Sequence, residues 1–138
     1  MTKQNKIFGI GLSRTGTTSL TWALTILAYK AKHFPTDWED AEKYDALTDT
    51  PVTRAYKELD AKYPSSKFIL TIRERDSWLE SCRKYFALYD IENLPARVQL
   101  RKDIYNTIEF DREKFLAAYE RHYNDVLSYF RDRQNDLL

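Results

Sequence analysis

The stretch GIGLSRTGTTSL, residues 9–20, follows the pattern of a phosphate-binding loop and departs from it at one position. Gly11 and Gly16 have the spacing of the Walker pattern G-x-x-x-x-G-K-[ST], and Thr18 fills its last place. Thr17 stands where that pattern has the lysine that reaches the outer phosphates of a nucleoside triphosphate. The loop keeps the glycine spacing of a backbone phosphate cradle, and we expect its ligand to differ from ATP or GTP.

The residues around the loop favour its placement between a strand and a helix. KIFGIG, residues 6–11, is a short apolar run that ends at glycine, which is typical of a buried strand. Leu20, Leu24 and Leu27 then recur at helical spacing. A strand, a glycine loop and a helix in this order can bind phosphate through backbone N–H groups. Alternatively, SRTGTTS is a polar turn that only caps the helix.

Strand and helix patterns alternate through the rest of the chain. KFILTI, residues 67–72, is a continuous apolar run, and residues 31–50 leave room for one or two short strands. Helices are predicted from Thr50 to Tyr63, from Ser77 (in a capping-box pattern) to about Tyr89, from Pro95, and from Asp111. This alternation predicts an α/β fold of the P-loop NTPase type, with three layers, a central parallel sheet and a helical C-terminal part.

Length, charge and the two ends of the chain give further expectations. The 138 residues predict a single domain over 1–138, and a net charge of +1 argues against a nucleic-acid partner. No apolar stretch has the length of a membrane span, and the polar first residues lack a signal-peptide core, so we expect a cytoplasmic location. The last four residues, NDLL (135–138), end in an apolar pair, which is typical of the beginning of another strand. We therefore expect the fold to continue beyond Leu138.

The sequence predicts that the loop binds an anion without a metal ion. Cys82 is the one cysteine, and no cluster of Cys and His has metal-ligand spacing. No apolar run ends in an acidic residue that would hold Mg²⁺, since the run at 67–72 is followed by Arg73. A nucleotide or nucleoside kinase with an atypical loop remains the alternative, which tight binding of ATP with Mg²⁺ would favour.

A second anion site is predicted after the run at 67–72. Arg73 follows that run, and Ser81 comes eight residues later on the next predicted helix. The carboxyl ends of parallel strands face the ligand crevice, where an arginine can bind a phosphate with two hydrogen bonds and a serine hydroxyl can add another. Alternatively, Arg73 forms a surface ion pair with Glu74 or Asp76, and Ser81 merely faces solvent.

These two motifs together resemble a known family. GLSRTGTTSL and PSSKFILTIRERDSWLES are similar to the P-loop-like sulfotransferases that use 3′-phosphoadenosine 5′-phosphosulfate (PAPS), in particular to a branch whose loop reads R-T-G-T-T-S. The resemblance is clear over residues 6–86. It implies an enzyme that moves a sulfuryl group from PAPS, without metal, to the hydroxyl or amine of a small-molecule or carbohydrate acceptor. It does not name the acceptor or the oligomeric state.

The resemblance also implies roles for individual residues. Arg14 corresponds to the cation at the bridging oxygen of the donor, while Arg73 and Ser81 correspond to the pair at its 3′-phosphate. The predicted donor-binding residues are Ser13, Arg14, Thr15, Gly16, Thr17, Thr18, Ser19, Arg73 and Ser81. Many relatives have an adenine-stacking tryptophan directly after the paired threonines, where this chain has Ser19, and Trp22 lies one turn further. A late basic, glycine-rich loop of many relatives would fall beyond Leu138.

The sequence leaves open which residue is the catalytic base. The base that accepts the acceptor's proton is predicted to be Asp49 or His33, with Asp37 and Glu39 as further candidates. Alternatively, Asp49 caps the helix that begins near Pro51, and His33 is an exposed imidazole.

The aromatic side chains of the C-terminal part, Trp78, Tyr85, Phe86, Tyr89 and Tyr105, either line an acceptor pocket or form a core.

A second alternative for the whole chain is a sulfotransferase-like domain that binds nucleotide or a partner without turnover.

Overall fold

The computed structural model describes residues 5–138. The chain divides into two compact units. The sheet unit contains the residues up to Ile72 together with 132–138, and the helical unit contains residues 73–131.

A four-stranded parallel sheet forms the centre of the sheet unit. Its elements are β1 Ile7–Gly9, α1 Thr17–Ile26, β2 Ala31–His33, α2 Asp40–Lys43, β3 Ala46–Thr48, α3 Thr50–Arg54, α4 Tyr56–Lys62 and β4 Lys67–Ile69, with a 3₁₀ turn at Gln134–Asp136. The strand order is β2-β3-β1-β4, and Phe8 lies opposite Leu47 on one side and Phe68 on the other. The α/β fold with a parallel sheet is confirmed, including two short strands within residues 31–50.

The apolar runs form strands because their side chains fill the core of this unit. Phe8, Leu47 and Phe68 are all at most 1% exposed, and the rings of Phe8 and Phe68 lie 5.4 Å apart. Helix α1 packs against β2 and β3, and α3 packs against β1 and β3. The parallel strands all end at one edge of the sheet, and the loop after β1 begins at that edge.

The helix predicted from Thr50 to Tyr63 is interrupted at Ala55. The N–H of Ala55 bonds to the carbonyl of Val52 at 3.1 Å, a 3₁₀-type bond that tightens the last turn of α3. A new α-helical bond, from the N–H of Leu59 to the carbonyl of Ala55, then begins α4. The apolar stripe that predicted the helix is buried in both segments.

The strand predicted at 67–72 is shorter than expected. Regular pairing ends at Ile69, and Leu70 donates its N–H to the carbonyl of Leu138 at 2.9 Å. Leu138 in turn donates to the carbonyl of Phe68 at 2.8 Å, and Leu137 forms a parallel bridge with Phe68. Strand-like pairing is therefore present at Leu137 and Leu138, whereas Asn135 and Asp136 of the predicted NDLL strand lie in the 3₁₀ turn.

Three helices form the helical unit: α5 Arg75–Leu88, α6 Pro95–Tyr105 and α7 Arg112–Tyr129. Their core is aromatic, with Trp78 and Phe115 fully buried and the rings of Tyr105 and Phe115 stacked at 4.2 Å. Phe86 is also buried, whereas Tyr89 is exposed. The aromatic stripe is thus mainly a core.

The capping residue of α5 differs from the prediction. The side chain of Glu74, and not that of Ser77, caps this helix by accepting from the N–H groups of Asp76 at 2.9 Å and Ser77 at 2.7 Å. These bonds favour the charged carboxylate and hold the pKa of Glu74 below its usual range. The predicted cap at Asp111 is confirmed, because its carboxylate accepts from the N–H of Lys114 at 3.0 Å.

Candidate functional site

Gly11, the first glycine of the loop, is required by close packing. The hydroxyl of Thr53 on α3 donates to the Gly11 carbonyl at 2.6 Å. A Cβ at Gly11 would overlap the Thr71 hydroxyl and lie 2.7 Å from the Thr15 hydroxyl. The loop therefore lies directly against the segment that follows β4, and only glycine allows this approach.

Thr15 fixes the loop from inside. Its side chain is buried, and its hydroxyl lies 2.6 Å from the Leu12 carbonyl and 2.8 Å from the Thr71 hydroxyl. The Thr15 hydroxyl donates to Leu12, so that of Thr71 donates to Thr15. Thr71 was not among the predicted site residues, although its place near the end of the apolar run at 67–72 was the available signal.

The end of the loop leaves backbone N–H groups of α1 without a side-chain cap among the described residues. Gly16 is the N-cap of α1 with φ 90°, and Arg14 also has a left-handed backbone with φ 67°. Within residues 5–138, no side chain caps α1 and its first turn has no acidic residue. The N–H groups of Thr17, Thr18 and Ser19 belong to the first turn, which an α-helix leaves without internal acceptors. Together with the helix dipole, they favour an anion at this end.

His33 and Asp49, the two predicted base candidates, form a pair at the ends of β2 and β3. The Nε2 atom of His33 lies 3.1 Å from Oδ2 of Asp49. The side chain of Asp49 makes no capping bond to α3, although its backbone carbonyl accepts from the N–H groups of Val52 and Thr53. The alternative interpretation of Asp49 as a side-chain cap is therefore wrong.

Asp49 combines burial with backbone strain. The residue is 7% exposed, and its Oδ1 has no hydrogen-bond partner within residues 5–138. Its φ of 84° and ψ of −177° fall in a region that glycine almost alone adopts, at a cost of about 1–3 kcal/mol for other residues. Both features are expensive for stability and are typical of residues retained for chemistry.

A chain of hydroxyls connects His33 to the loop helix. Nδ1 of His33 lies 3.3 Å from the buried Thr48 hydroxyl, which lies 2.7 Å from that of Thr21 on α1. A carboxylate only accepts, so Nε2 of His33 donates to Asp49. The Thr21 hydroxyl donates to the Thr17 carbonyl at 3.0 Å, so it accepts from the Thr48 hydroxyl. Neither Thr48 nor Thr21 was singled out in the sequence, because the contact joins residues 27 positions apart.

The other acidic candidates have local roles. The carboxylate of Asp37 accepts from the N–H of Glu39 at 2.9 Å, and that of Glu39 lies 3.9 Å from the ammonium of Lys43. Of the four candidates for the base, the structure therefore pairs only His33 and Asp49 with each other.

Arg73 and Ser81 belong to the helical unit. Arg73 lies in the irregular segment before α5, where its Nε donates to the Ser77 hydroxyl at 3.1 Å and its carbonyl accepts from the Tyr119 hydroxyl at 2.8 Å. Ser77 and Ser81 are four residues apart, so they share one face of α5. Arg73 is exposed and Ser81 is half-buried. This arrangement puts the Arg73 guanidinium beside the helix face that carries Ser81.

Trp22, the candidate for contact with adenine, lies on α1 with 66% of its surface exposed. It is four residues after Thr18, so both share one face of that helix. Ser19, the residue directly after Thr17 and Thr18, is exposed as well.

Within residues 5–138, no group of three or more His, Cys, Asp or Glu side chains is placed to hold a metal ion, and no helix is long and apolar enough to cross a membrane.

Comparison with known proteins agrees with the observed α/β fold. A family model described as a sulfotransferase domain matches residues 6–42 and 35–138. Ava biosynthesis cluster protein M of Aspergillus versicolor is 33% identical, over an alignment that covers 55% of this chain and 41% of that protein. The chain thus aligns with about two fifths of the length of this curated relative.

Proposed function

The chain belongs to the sulfotransferase domain family, and on that premise we propose that it transfers a sulfuryl group from PAPS to a hydroxyl or amine of a small-molecule or carbohydrate acceptor. The cytoplasmic location expected from the sequence is part of the same proposal.

One arrangement at the edge of the sheet carries the proposal. The loop after β1 presents the uncapped first turn of α1, and the strained, buried carboxylate of Asp49 is paired with His33 at the ends of the neighbouring strands. An anion-binding helix end beside a buried acid–base pair suits a reaction in which a phosphate leaves and a hydroxyl loses its proton.

The residues of the loop fit such a donor. Glycine at position 11 allows the loop to pack closely, and Arg14, three residues before Thr17, adds an exposed cationic side chain to the loop. When bound, PAPS supplies the sulfuryl group on a good phosphate leaving group. Arg14 and the N–H groups of Thr17 and Thr18 stabilise the negative charge that collects on the leaving phosphate and the sulfuryl oxygens.

The His33–Asp49 pair provides the proton acceptor in this proposal. The acceptor oxygen forms a bond to sulfur, the bond from sulfur to the phosphate oxygen breaks, and the hydroxyl proton passes to the pair. His33 holds Asp49 through Nε2, and the Thr48 hydroxyl holds the other ring nitrogen.

Arg73 and Ser81 are proposed to bind the 3′-phosphate of the donor. The support is the geometry of α5, on which Ser77 orients the Arg73 guanidinium along the face that carries Ser81. An arginine binds a phosphate with two parallel hydrogen bonds, which is stronger and more directional than contact with an ammonium.

Calorimetric titration with three nucleotides tests the donor. We expect adenosine 3′,5′-bisphosphate to bind without metal and more tightly than AMP or ATP with Mg²⁺. Preference for ATP with Mg²⁺ would contradict the proposal and favour a kinase. No binding of any nucleotide would also contradict it.

Replacement of Asp49 tests the chemistry. In a radiolabelled PAPS assay with a panel of phenols, sugars and amines, Asp49→Asn should lower kcat by about 100-fold or more, because general-base catalysis contributes that much. Binding of adenosine 3′,5′-bisphosphate should stay within about twofold. Asp37→Asn is the matched control. Tight nucleotide binding without any turnover in the natural chain would instead support a domain that binds without catalysis.

A further inference from the structure

A cavity of about 570 Å³ lies within the helical unit. The C-terminal end of α5, the loop that follows it, α6 and residues 108–110 form its walls. Its size falls within the range of sites for small molecules, about 300–1,000 Å³. Phe86, Ile91 and Phe110 give it an apolar and aromatic lining.

Arg101 provides a cation with hydrogen-bond donors on the wall of this cavity. Its guanidinium carbon is 4.4 Å from the centroid of the Phe86 ring, and its Nη1 donates to the Ile108 carbonyl at 3.0 Å. Within residues 5–138 the guanidinium forms no ion pair with a carboxylate. Partial burial lowers the pKa of Arg101, which nevertheless stays charged at neutral pH. Most of its N–H groups therefore remain available to a carboxylate in the cavity.

Acidic side chains line the same cavity at more exposed positions. Glu92 and Glu109 are exposed, whereas Arg101 is half-buried. The other cation of the lining, Arg83, is already bound by both carboxylate oxygens of Glu80, at 2.9 and 2.7 Å. The cavity thus offers one inner cation, an apolar middle and an acidic rim.

From these three features we infer that the cavity binds a small aromatic zwitterion, a molecule with a ring, a carboxylate and an amine. The carboxylate pairs with Arg101, the ring packs against Phe86 and Phe110, and the ammonium group faces Glu92 and Glu109. The carboxylate of such a ligand neutralises a partly desolvated cation, which a plain aromatic amine cannot do. This inference does not depend on the proposed sulfuryl transfer.

A matched series of ligands tests the binding of an aromatic zwitterion to the natural chain in the absence of nucleotide. L-Tyrosine carries all three groups, tyramine lacks the carboxylate, and 3-(4-hydroxyphenyl)propionate lacks the amine. By calorimetry or ligand-observed NMR we expect L-tyrosine to bind about tenfold more tightly than either analogue, because each analogue loses one charge-assisted contact. Equal affinities for all three, or no binding of L-tyrosine at millimolar concentration, would overturn the inference.

Two variants assign the charged contacts. Arg101→Gln should abolish the preference for L-tyrosine over tyramine, and the double variant Glu92→Gln/Glu109→Gln should abolish the preference over the propionate. Arg97→Gln, on the same helix but outside the cavity lining, is the control. If Arg101→Gln does not fold, the ligand series and the glutamate variants still decide, since those glutamates are exposed. Unchanged preferences in the folded variants would contradict the assignment.

Discussion

The sheet unit and the helical unit present their candidate site residues in different ways. Around the loop after β1, hydroxyl and carbonyl groups pack closely against Gly11 and hold the loop in place. Asp49, after β3, is buried and has a strained backbone. In the helical unit, Arg73 is exposed and reaches a serine on the surface of α5. Substitution of a closely packed residue at the loop should therefore disturb its structure, whereas substitution of Arg73 should change affinity alone.

Gly11→Ala should have the largest effect. The new Cβ overlaps the Thr71 hydroxyl, so the loop must move away from the segment after β4. A displacement of this kind costs about 100-fold in the rate of transfer, which steady-state kinetics with PAPS would measure. Gly16→Ala is the control, because its Cβ meets nothing within 4 Å and only the positive φ opposes it, at a cost of about 1–2 kcal/mol. Equal losses in the two variants would contradict the role of close packing at Gly11.

Arg14→Ala should separate chemistry from binding within the sheet unit. Loss of a cation that acts mainly on developing charge lowers kcat by about 100-fold, while affinity for the product nucleotide changes little. Steady-state kinetics with PAPS and titration with adenosine 3′,5′-bisphosphate check this. Arg14→Lys should recover part of kcat. A loss of affinity as large as the loss of kcat would make Arg14 a simple binding residue.

Arg73→Ala should have a smaller and more selective effect. Because only adenosine 3′,5′-bisphosphate has a 3′-phosphate, its affinity should fall about tenfold while that of AMP is unchanged. Arg75→Ala is the matched control, since Arg75 is also exposed and its nearest carboxylates, on Asp76 and Glu120, are 3.9 Å away. Equal losses for both nucleotides would refute the assignment of the 3′-phosphate site.

Glu74→Gln should have the smallest effect, and only on stability. The folded-state pKa of Glu74 lies below its unfolded value, so its contribution is fully present above the unfolded pKa and is lost as the pH falls through the folded one. The variant should melt slightly below the natural chain at pH 7, and the difference should shrink below about pH 4. Glu113→Gln, in the first turn of α7, is the control. A difference that is independent of pH would argue against the capping carboxylate.

Much of the sheet unit could be predicted because its signals are local. Glycine spacing predicted the loop, apolar runs predicted the strands, and residues 31–50 were correctly expected to contain short ones. The prediction was less accurate where two nearby side chains could cap the same helix. Glu74, and not Ser77, caps α5 because its longer side chain reaches two N–H groups at once. The break at Ala55 gave no sequence signal, since the apolar stripe continues through it.

The sequence by itself determined that this is an α/β chain whose first strand is followed by a glycine-spaced loop, because glycine spacing and apolar periodicity act between near neighbours. It also placed Asp49 and His33 among the candidates for the base. Only the tertiary structure decided that the two form a pair and that Thr48 and Thr21 connect them to the loop helix. The physical reason is that parallel strands bring their ends together across many residues of chain. A buried hydrogen bond of this kind depends on three-dimensional proximity, which no short stretch of sequence encodes.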